Sequence, residues 1–248
     1  MGAGICEGHM IDIIRNLKVK IFVDAASLDD LRKWADHPLV QGFTTNPLLM
    51  CRAGVGDYAD FSQEVLAIVK GMPVSFEVLA DEFEEMEAQA HIISSWGQSV
   101  YVKIPITNTR GESSGPLIKK LANAGVRVNV TAVMTSGQVR IAADALEMGP
   151  PSIISVFAGR IADTWVDPCW FMSRCGDILH KCPRAELLWA STREVLNIWQ
   201  ANTFGCHIIT VPPGILAKMD MVGKDPKEFS LETVRLFYES GRAAGLRL

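Results

Sequence analysis

The chain has 248 residues, of which 48% are hydrophobic and 21% charged, as in an ordinary globular protein. This length is close to the roughly 250 residues over which a (β/α)8 barrel forms one domain, so one large core is possible. The net charge of -4 excludes a general electrostatic reason to expect nucleic acid or a membrane surface as partner.

Residues 1–18 precede the first predicted strand, and we treat them as an N-terminal extension of uncertain origin. Their start, MGAGICEGHM, lacks the charged beginning and long apolar centre of a signal peptide. No stretch of about 18 apolar residues predicts a membrane span. The six cysteines form no CxxC pair and no zinc-like cluster, which favours a reduced, cytoplasmic protein.

Eight short apolar runs follow, each succeeded by a segment with helical spacing. The runs are KIFVDA (20–25), GFTTN (42–46), VSFEV (74–78), VYVKIPI (100–106), RVNVTAV (127–133), SIISVFA (152–158), ELLWAS (186–191) and CHIITV (206–211). Eight such units favour a closed α/β barrel of the (β/α)8 TIM type over an open doubly wound sheet. A ninth helical segment runs from Pro226 to about Ala244. We therefore predict one barrel domain over residues 19–248, which includes an additional C-terminal helix.

Polar residues stand late in seven of the eight predicted strands. In barrel enzymes the chemistry lies at the carboxyl ends of the strands. A single such residue, for example Asn129 or Ser155, has the alternative role of satisfying a local hydrogen bond. Seven strands with polar ends instead indicate a functional site. The residues are Asp24, Thr45 and Asn46, Glu77, Lys103, Asn129 and Thr131, Ser155, and Ser191.

Lys103 stands between Val102 and Ile104 in an otherwise apolar strand. A buried lysine needs a partner or a task. One interpretation is a salt bridge to Glu77 or Asp24. The other is a nucleophile, since burial favours the neutral amine that attacks a ketone, while nearby carboxylates divide the proton transfers. The five histidines show no ligand spacing, so we expect no metal and no cofactor.

Two arginines follow neighbouring strands near Ser191. Arg160 comes after the sixth strand in AGR, and Arg193 after the seventh in WASTR. Together with Ser191 and the amides of a helix N-terminus, they would make a good phosphate clamp. The alternative is that either arginine is a solvated surface residue.

The series FVDAAS, FTTNP, SFEV, VKIP, NVTAVMTSGQ, SVFAGR and WASTR resembles the transaldolase and fructose-6-phosphate aldolase family over about residues 19 to 215. The resemblance implies a metal-free Schiff-base mechanism on a (β/α)8 barrel. It implies that Lys103 forms the Schiff base and that Asp24 is the acid/base at the sugar C4 hydroxyl. It further implies that Glu77 and Thr131 hold a water that shuttles protons.

The same resemblance implies the substrate contacts. Asn46 and Asn129 bind the dihydroxyacetone unit, and Ser155 holds its terminal hydroxyl. The phosphate lies against Arg160, Ser191 and Arg193, while Thr45 and Phe157 complete the substrate-binding set. The expected partners are small sugar phosphates, with no nucleic acid and no membrane, and the resemblance implies a homo-oligomer.

Two positions favour the transaldolase branch of this family over the aldolase branch. At these positions this chain has Glu77 and Phe157, as the transaldolases resembled here do, whereas the aldolases carry Gln and Tyr. In the aldolases, the Tyr and Gln can position a water that protonates the three-carbon intermediate and releases free dihydroxyacetone. A fructose-6-phosphate aldolase remains the nearest alternative, and a noncatalytic sugar-phosphate binding barrel a more distant one. The chain departs from the family pattern at Ala25, Leu48, Thr135 and Val156, which leaves open a transaldolase specialised for an unusual sugar phosphate.

Overall fold

The computed structural model of this chain describes residues 17–247. The predicted N-terminal extension lies outside the described residues except for Leu17 and Lys18. Two compact units are distinguished, one spanning Lys18–Leu216 and the other containing the chain from Ala217 onwards. The assignment of residues 19–248 to one domain stays a prediction.

The first unit is a closed barrel of eight parallel strands, each paired with its neighbours in chain order and the eighth with the first. This confirms the predicted (β/α)8 fold. The second strand begins earlier than predicted and ends before Thr45 and Asn46, because Asn46 caps the following helix by accepting a hydrogen bond from Leu49. The strands are β1 Lys20–Asp24, β2 Val40–Thr44, β3 Val74–Glu77, β4 Val100–Pro105, β5 Val128–Val133, β6 Ser152–Val156, β7 Ala185–Trp189 and β8 Ile208–Val211.

Ten helices follow or separate these strands within the same unit. Several begin where the sequence places a capping residue: Ser27 and Asp57 accept backbone hydrogen bonds, and Thr135 forms a capping box with Gln138. The helices are α1 Leu28–Ala35, α2 Pro47–Arg52, α3 Tyr58–Val69, α4 Phe83–Ser95, α5 Gly115–Asn123, α6 Ser136–Leu146, α7 Ala158–Asp163, α8 Pro168–Leu179, α9 Leu196–Thr203 and α10 Pro213–Leu216.

The barrel interior contains an apolar layer. Phe22, Tyr101, Ile153, Leu188 and Ile208 come from five different strands and pack in one buried cluster. The Phe22 ring reaches across to β2, where a Cβ on Gly42 would lie 2.6 Å from it. Glycine is therefore needed at that position, and this filled layer forms the support on which the next inward-facing residues rest.

The second unit contains a 3-10 helix, Ala217–Met221, and α11, Pro226–Ala243. The predicted ninth helical segment is thus confirmed. Asp225 caps α11 by accepting hydrogen bonds from the amides of Lys227 and Glu228. None of the residues of α11 is buried. Across residues 17–247, every helix is too short or too polar to span a membrane.

Candidate active site

A cavity of about 450 Å³ lies at the carboxyl ends of the barrel strands. Side chains alternate across a strand, so a residue two positions beyond an inward-facing one faces inward again. In this way each strand, or for β7 the residue that follows it, contributes one side chain to the cavity wall next to the apolar layer. These eight residues are Asp24, Thr44, Glu77, Lys103, Thr131, Ser155, Ala190 and Thr210.

All predicted site residues except Thr45 and Asn129 line this cavity. Those two are fully buried and contact the wall residues instead. The Thr45 carbonyl accepts a hydrogen bond from Lys103, and Asn129 accepts one of 2.7 Å from Ser155 Oγ. Asn129 also donates to Ser75 Oγ at 3.0 Å, so its amide is held on both sides. Direct contact of Asn129 with a substrate stays a prediction.

Lys103 lines the cavity and is only 6% exposed. Its Nζ lies 2.9 Å from Glu77 Oε2 and donates a 2.8 Å hydrogen bond to the Thr45 carbonyl. The salt bridge considered from the sequence is therefore present. A buried ion pair leaves a costly uncompensated charge if one partner is removed. This ion pair also places the Glu77 carboxylate, a proton acceptor, beside Lys103, which is the only lysine that lines the cavity among residues 17–247.

Asp24 lies on β1 at the same level. Its Oδ1 accepts a 2.8 Å hydrogen bond from Thr44 Oγ1, and Asn46 Nδ2 lies 3.5 Å from both carboxylate oxygens. Burial raises the pKa of Asp24 above its ordinary 3.8, while the Lys103 charge and the hydrogen bonds from Thr44 and Asn46 oppose that rise. A raised carboxyl pKa suits a group that exchanges protons during a reaction.

Thr131 lines the cavity and carries a hydroxyl that is unpaired within the described chain. Its Oγ1 is buried and has no hydrogen-bond partner among residues 17–247. The strand register shifts between Val130 and Val133, and Ala132 adopts the left-handed region at φ 58°. Such local strain is typical of functional sites. The free hydroxyl is suited to bind a water or a substrate oxygen.

Both predicted arginines reach the rim of the cavity. The guanidinium of Arg160 lies over the Phe157 ring, with its carbon 5.1 Å from the ring centroid. Arg193 pairs with Asp163, and both side chains are more than half exposed, so the pair is weak. Gly159 allows the start of α7 to approach the end of β7, because a Cβ there would lie 1.7 Å from the Ser191 carbonyl oxygen.

Tyr58 on α3 anchors the end of the strand that carries Glu77. Its hydroxyl accepts a 2.9 Å hydrogen bond from the Glu77 amide and donates one of 3.0 Å to the Glu77 carbonyl. The ring packs edge-on against Phe76 and Trp96. Burial raises the pKa of the hydroxyl, so it stays protonated. Because β2 turns into α2 at Asn46, this hydroxyl supplies bonds that a neighbouring strand normally makes.

Sequence reasoning missed several residues of this region. Thr44 and Thr210 lie within predicted strands and were not identified as site residues. Their inward position follows from counting two residues beyond Gly42 and Ile208. Ser75 is found in the same way, two residues before Glu77. Tyr58 gives no such signal, because its contact with Glu77 joins an outer helix to a distant strand.

The sequence profile of the transaldolase/fructose-6-phosphate aldolase family matches residues 21–246. A protein named probable transaldolase from Nitrosopumilus maritimus is 34% identical over 203 residues, which cover 81% of this chain and 87% of that one. A probable transaldolase from Mesorhizobium japonicum is 36% identical over 199 residues, covering 80% and 87% of the two chains.

Two solved structures from Burkholderia cenocepacia J2315 share the fold. A putative lyase/mutase aligns with a TM-score of 0.59 at 12% identity, covering 98% of this chain and 91% of that one. A putative phosphonomutase aligns with a TM-score of 0.55 at 10% identity, covering 95% and 100%. At this identity the likeness extends to the fold alone.

Replacing Tyr58 with Phe should loosen the end of β3 while leaving the aromatic packing in place. The Glu77 amide and carbonyl lose their partner, so the free energy of unfolding should fall by about 2 kcal/mol. Urea unfolding measures this loss, and hydrogen exchange should show faster exchange at the Glu77 amide. Tyr101→Phe, at another buried tyrosine, is the matched control and should leave that amide protected. Unchanged protection in Tyr58→Phe would contradict the anchoring role.

Proposed function

The chain belongs to the transaldolase/fructose-6-phosphate aldolase family, and on that premise we propose that it is a transaldolase. It moves a dihydroxyacetone unit from a ketose phosphate, such as fructose 6-phosphate or sedoheptulose 7-phosphate, to an aldose phosphate. The unit is carried as a Schiff base on Lys103. The observation that carries this proposal is the buried Lys103 amine in the cavity wall, in contact with Glu77 and in the same cavity as Asp24.

The first step forms the covalent bond. The ammonium of Lys103 transfers a proton to Glu77, and the neutral amine attacks the ketone carbon of the donor. Loss of water from the resulting carbinolamine needs proton transfer to the leaving hydroxyl. Glu77 and a water bound to the free Thr131 hydroxyl supply that proton, which accounts for a buried hydroxyl without a partner in the described chain.

The second step breaks the bond between C3 and C4 of the sugar. Asp24 takes the proton of the C4 hydroxyl, the bonding electrons move into the iminium, and an aldehyde leaves. The enamine that remains on Lys103 then attacks the carbonyl carbon of an acceptor aldose, and Asp24 returns its proton to the new hydroxyl. Water then adds to the new iminium in the reverse of the first step, which releases the ketose product and restores the Lys103 amine. The raised pKa of Asp24 supports this role, because the same group must accept and donate a proton.

The remaining residues would hold the substrate. Asn46 lies beside Asp24 and is placed to bind the donor hydroxyls, with Ser155 holding the terminal hydroxyl and Asn129 orienting Ser155. Thr45 contributes through the carbonyl that holds Lys103. The phosphate would lie between Arg160, Ser191 and Arg193 at the rim, where it displaces Asp163 from Arg193.

Phe157 favours transfer over simple cleavage. Its ring lines the cavity under the Arg160 guanidinium and presents no hydroxyl that could orient a water toward the enamine. The intermediate would then wait for an acceptor aldehyde. The alternatives are a fructose-6-phosphate aldolase, a transaldolase for an unusual sugar phosphate, and a noncatalytic sugar-phosphate binding barrel. Exposed Leu48 at the cavity mouth is the residue that would adapt it to an unusual substrate.

The proposal also covers the location, the metabolic role and the oligomeric state of the enzyme. We place it in the cytoplasm, in carbohydrate metabolism of the pentose phosphate type, and as a homo-oligomer. Within residues 17–247, Cys51, Cys169, Cys175, Cys182 and Cys206 form no disulfide with one another, which agrees with a reducing compartment.

A product assay tests the proposed reaction. With fructose 6-phosphate and erythrose 4-phosphate, the enzyme should form sedoheptulose 7-phosphate and glyceraldehyde 3-phosphate, and without the acceptor it should release little dihydroxyacetone. Lys103→Met, which keeps an unbranched side chain up to the last atom before the amine, should abolish both products. Release of dihydroxyacetone at an equal rate without acceptor would replace this proposal by the aldolase. Binding of sugar phosphates without turnover of any donor would favour the binding barrel.

The phosphate clamp predicts a selective loss. Arg160→Ala or Arg193→Ala should lower kcat/KM for a phosphorylated donor by about thirtyfold, or about 2 kcal/mol, as expected for hydrogen bonds to a charged group. Activity on free fructose should change little, because that donor makes no such contact. Arg32→Ala, at an exposed arginine of α1, is the control. Equal losses on both donors would show that the arginines support the fold rather than the phosphate.

A further inference from the structure

Two threonine hydroxyls and the carboxylate of Asp24, from three neighbouring strands, form a buried series of hydrogen bonds, the hydroxyl chain. Thr44 Oγ1 on β2 donates a 2.8 Å hydrogen bond to Asp24 Oδ1 on β1. Thr210 Oγ1 on β8 lies 2.6 Å from Thr44 Oγ1. The two threonines are 3% and 5% exposed, so bulk water does not compete for these bonds. All three strands meet because β1 pairs with β2 on one side and β8 on the other.

The donor in each hydrogen bond of the hydroxyl chain follows from the number of protons that each hydroxyl carries. A threonine hydroxyl carries one proton, and Thr44 uses its proton on Asp24. The short contact with Thr210 must therefore be donated by Thr210 and accepted by Thr44. The chain runs from Thr210 to Thr44 to Asp24 and ends on a carboxylate, where both hydroxyl protons point toward the negative charge.

The two oxygens of Asp24 are not equivalent. Oδ1 accepts the hydrogen bond from Thr44, whereas the only hydrogen-bond donor to Oδ2 within residues 17–247 is Asn46 Nδ2, at 3.5 Å. A proton added to Oδ2 leaves the hydrogen bonds from Thr44 and Thr210 intact. A proton added to Oδ1 forces Thr44 to reverse, and Thr210 then has no other acceptor for its proton in the described chain. Leaving a buried donor unsatisfied is costly.

We infer that Thr210 and Thr44 are positioning residues that hold Oδ1 of Asp24 and reserve Oδ2 for the proton transfers. The inference rests on the proposed function for the role of Asp24. In cleavage, Oδ2 takes the proton of the C4 hydroxyl while the C3–C4 bond breaks. In addition, the proton returns from Oδ2 to the new hydroxyl oxygen. Neither threonine exchanges a proton with the substrate.

The charged groups around Asp24 set the direction of the expected effect. Lys103 on β4 stabilises the carboxylate, and Glu77 on β3 opposes it, while Asn46 and Thr44 donate hydrogen bonds from the β2 side. Burial has already raised the Asp24 pKa. Removing a hydrogen bond that stabilises the carboxylate must raise the Asp24 pKa further, so less of the active base is present at mildly acidic pH.

The most direct test is a carboxyl-carbon NMR titration of the free, full-length protein labelled in aspartate, with Asp24→Asn used to assign the signal. Thr210→Val removes the distant hydroxyl without touching Asp24. It should move the Asp24 midpoint to higher pH, and Thr210→Ser should restore it. Ser62→Ala is the control, because Ser62 is a fully buried residue of α3 whose hydroxyl donates to the Ala59 carbonyl, away from Asp24. An unmoved midpoint in Thr210→Val would overturn the inference.

The kinetic test compares initial rates on the acidic limb of the pH profile with the plateau. Their ratio should fall by about tenfold in Thr44→Val, the scale of one hydrogen bond to a carboxylate, and by about threefold in Thr210→Val, whose contact is indirect. The serine variants should restore the ratio. A fall in the plateau alone, with the acidic limb unmoved, would mean that the threonines only support the fold.

The two tests separate the inference from the proposed function. If the NMR midpoint moves but no donor is turned over, the chain of hydroxyls is confirmed and the transaldolase proposal fails. If turnover is observed but the midpoint and the acidic limb stay in place, the proposal stands and the inference fails. Should Thr210→Val not fold, Thr210→Ala removes the hydroxyl without adding apolar bulk and is judged by the same midpoint.

Discussion

The two-residue alternation of side chains along eight closed strands is the constraint on which this molecule depends. It places Phe22, Tyr101, Ile153, Leu188 and Ile208 in one buried layer and puts the cavity wall two residues further along each strand. This layer packs the barrel interior together with the hydrogen-bonded pair of Ser75 and Asn129, so the wall residues rest on a packed support. Polar groups can then be held in a dry environment where charges and hydrogen bonds act strongly.

Each polar group of the wall is held by a neighbour. Glu77 lies 2.9 Å from Lys103, and Tyr58 fixes the backbone of Glu77 from outside the barrel. Thr44 holds Asp24, and Asn129 holds Ser155. Thr131 is the exception, since its hydroxyl has no partner in the described chain. In the proposed reaction that open position receives a water, and the fixed neighbours keep the amine and the two carboxylates in place.

The fold and most of the site could be predicted because both depend on short-range patterns. Apolar runs with helical segments between them gave the eight strands, and polar residues late in the runs gave Asp24, Glu77 and Lys103. The end of β2 was misplaced, because a strand and the capped helix after it, starting at Asn46, share a continuous sequence. Tyr58, Gly159 and the Arg193–Asp163 pair depend on contacts between distant segments, and periodicity carries no information about them.

The central claim is that Lys103 forms the covalent intermediate, and borohydride reduction in the presence of fructose 6-phosphate tests it most directly. Reduction converts the carbon–nitrogen double bond into a stable amine, so peptide mass spectrometry should find a three-carbon adduct on Lys103, with matching loss of activity. The adduct should be missing in Lys103→Met and present in a folded variant with Lys120, an exposed lysine of α5, replaced by Met. No adduct on the active enzyme, or an adduct on a different lysine, would contradict the account.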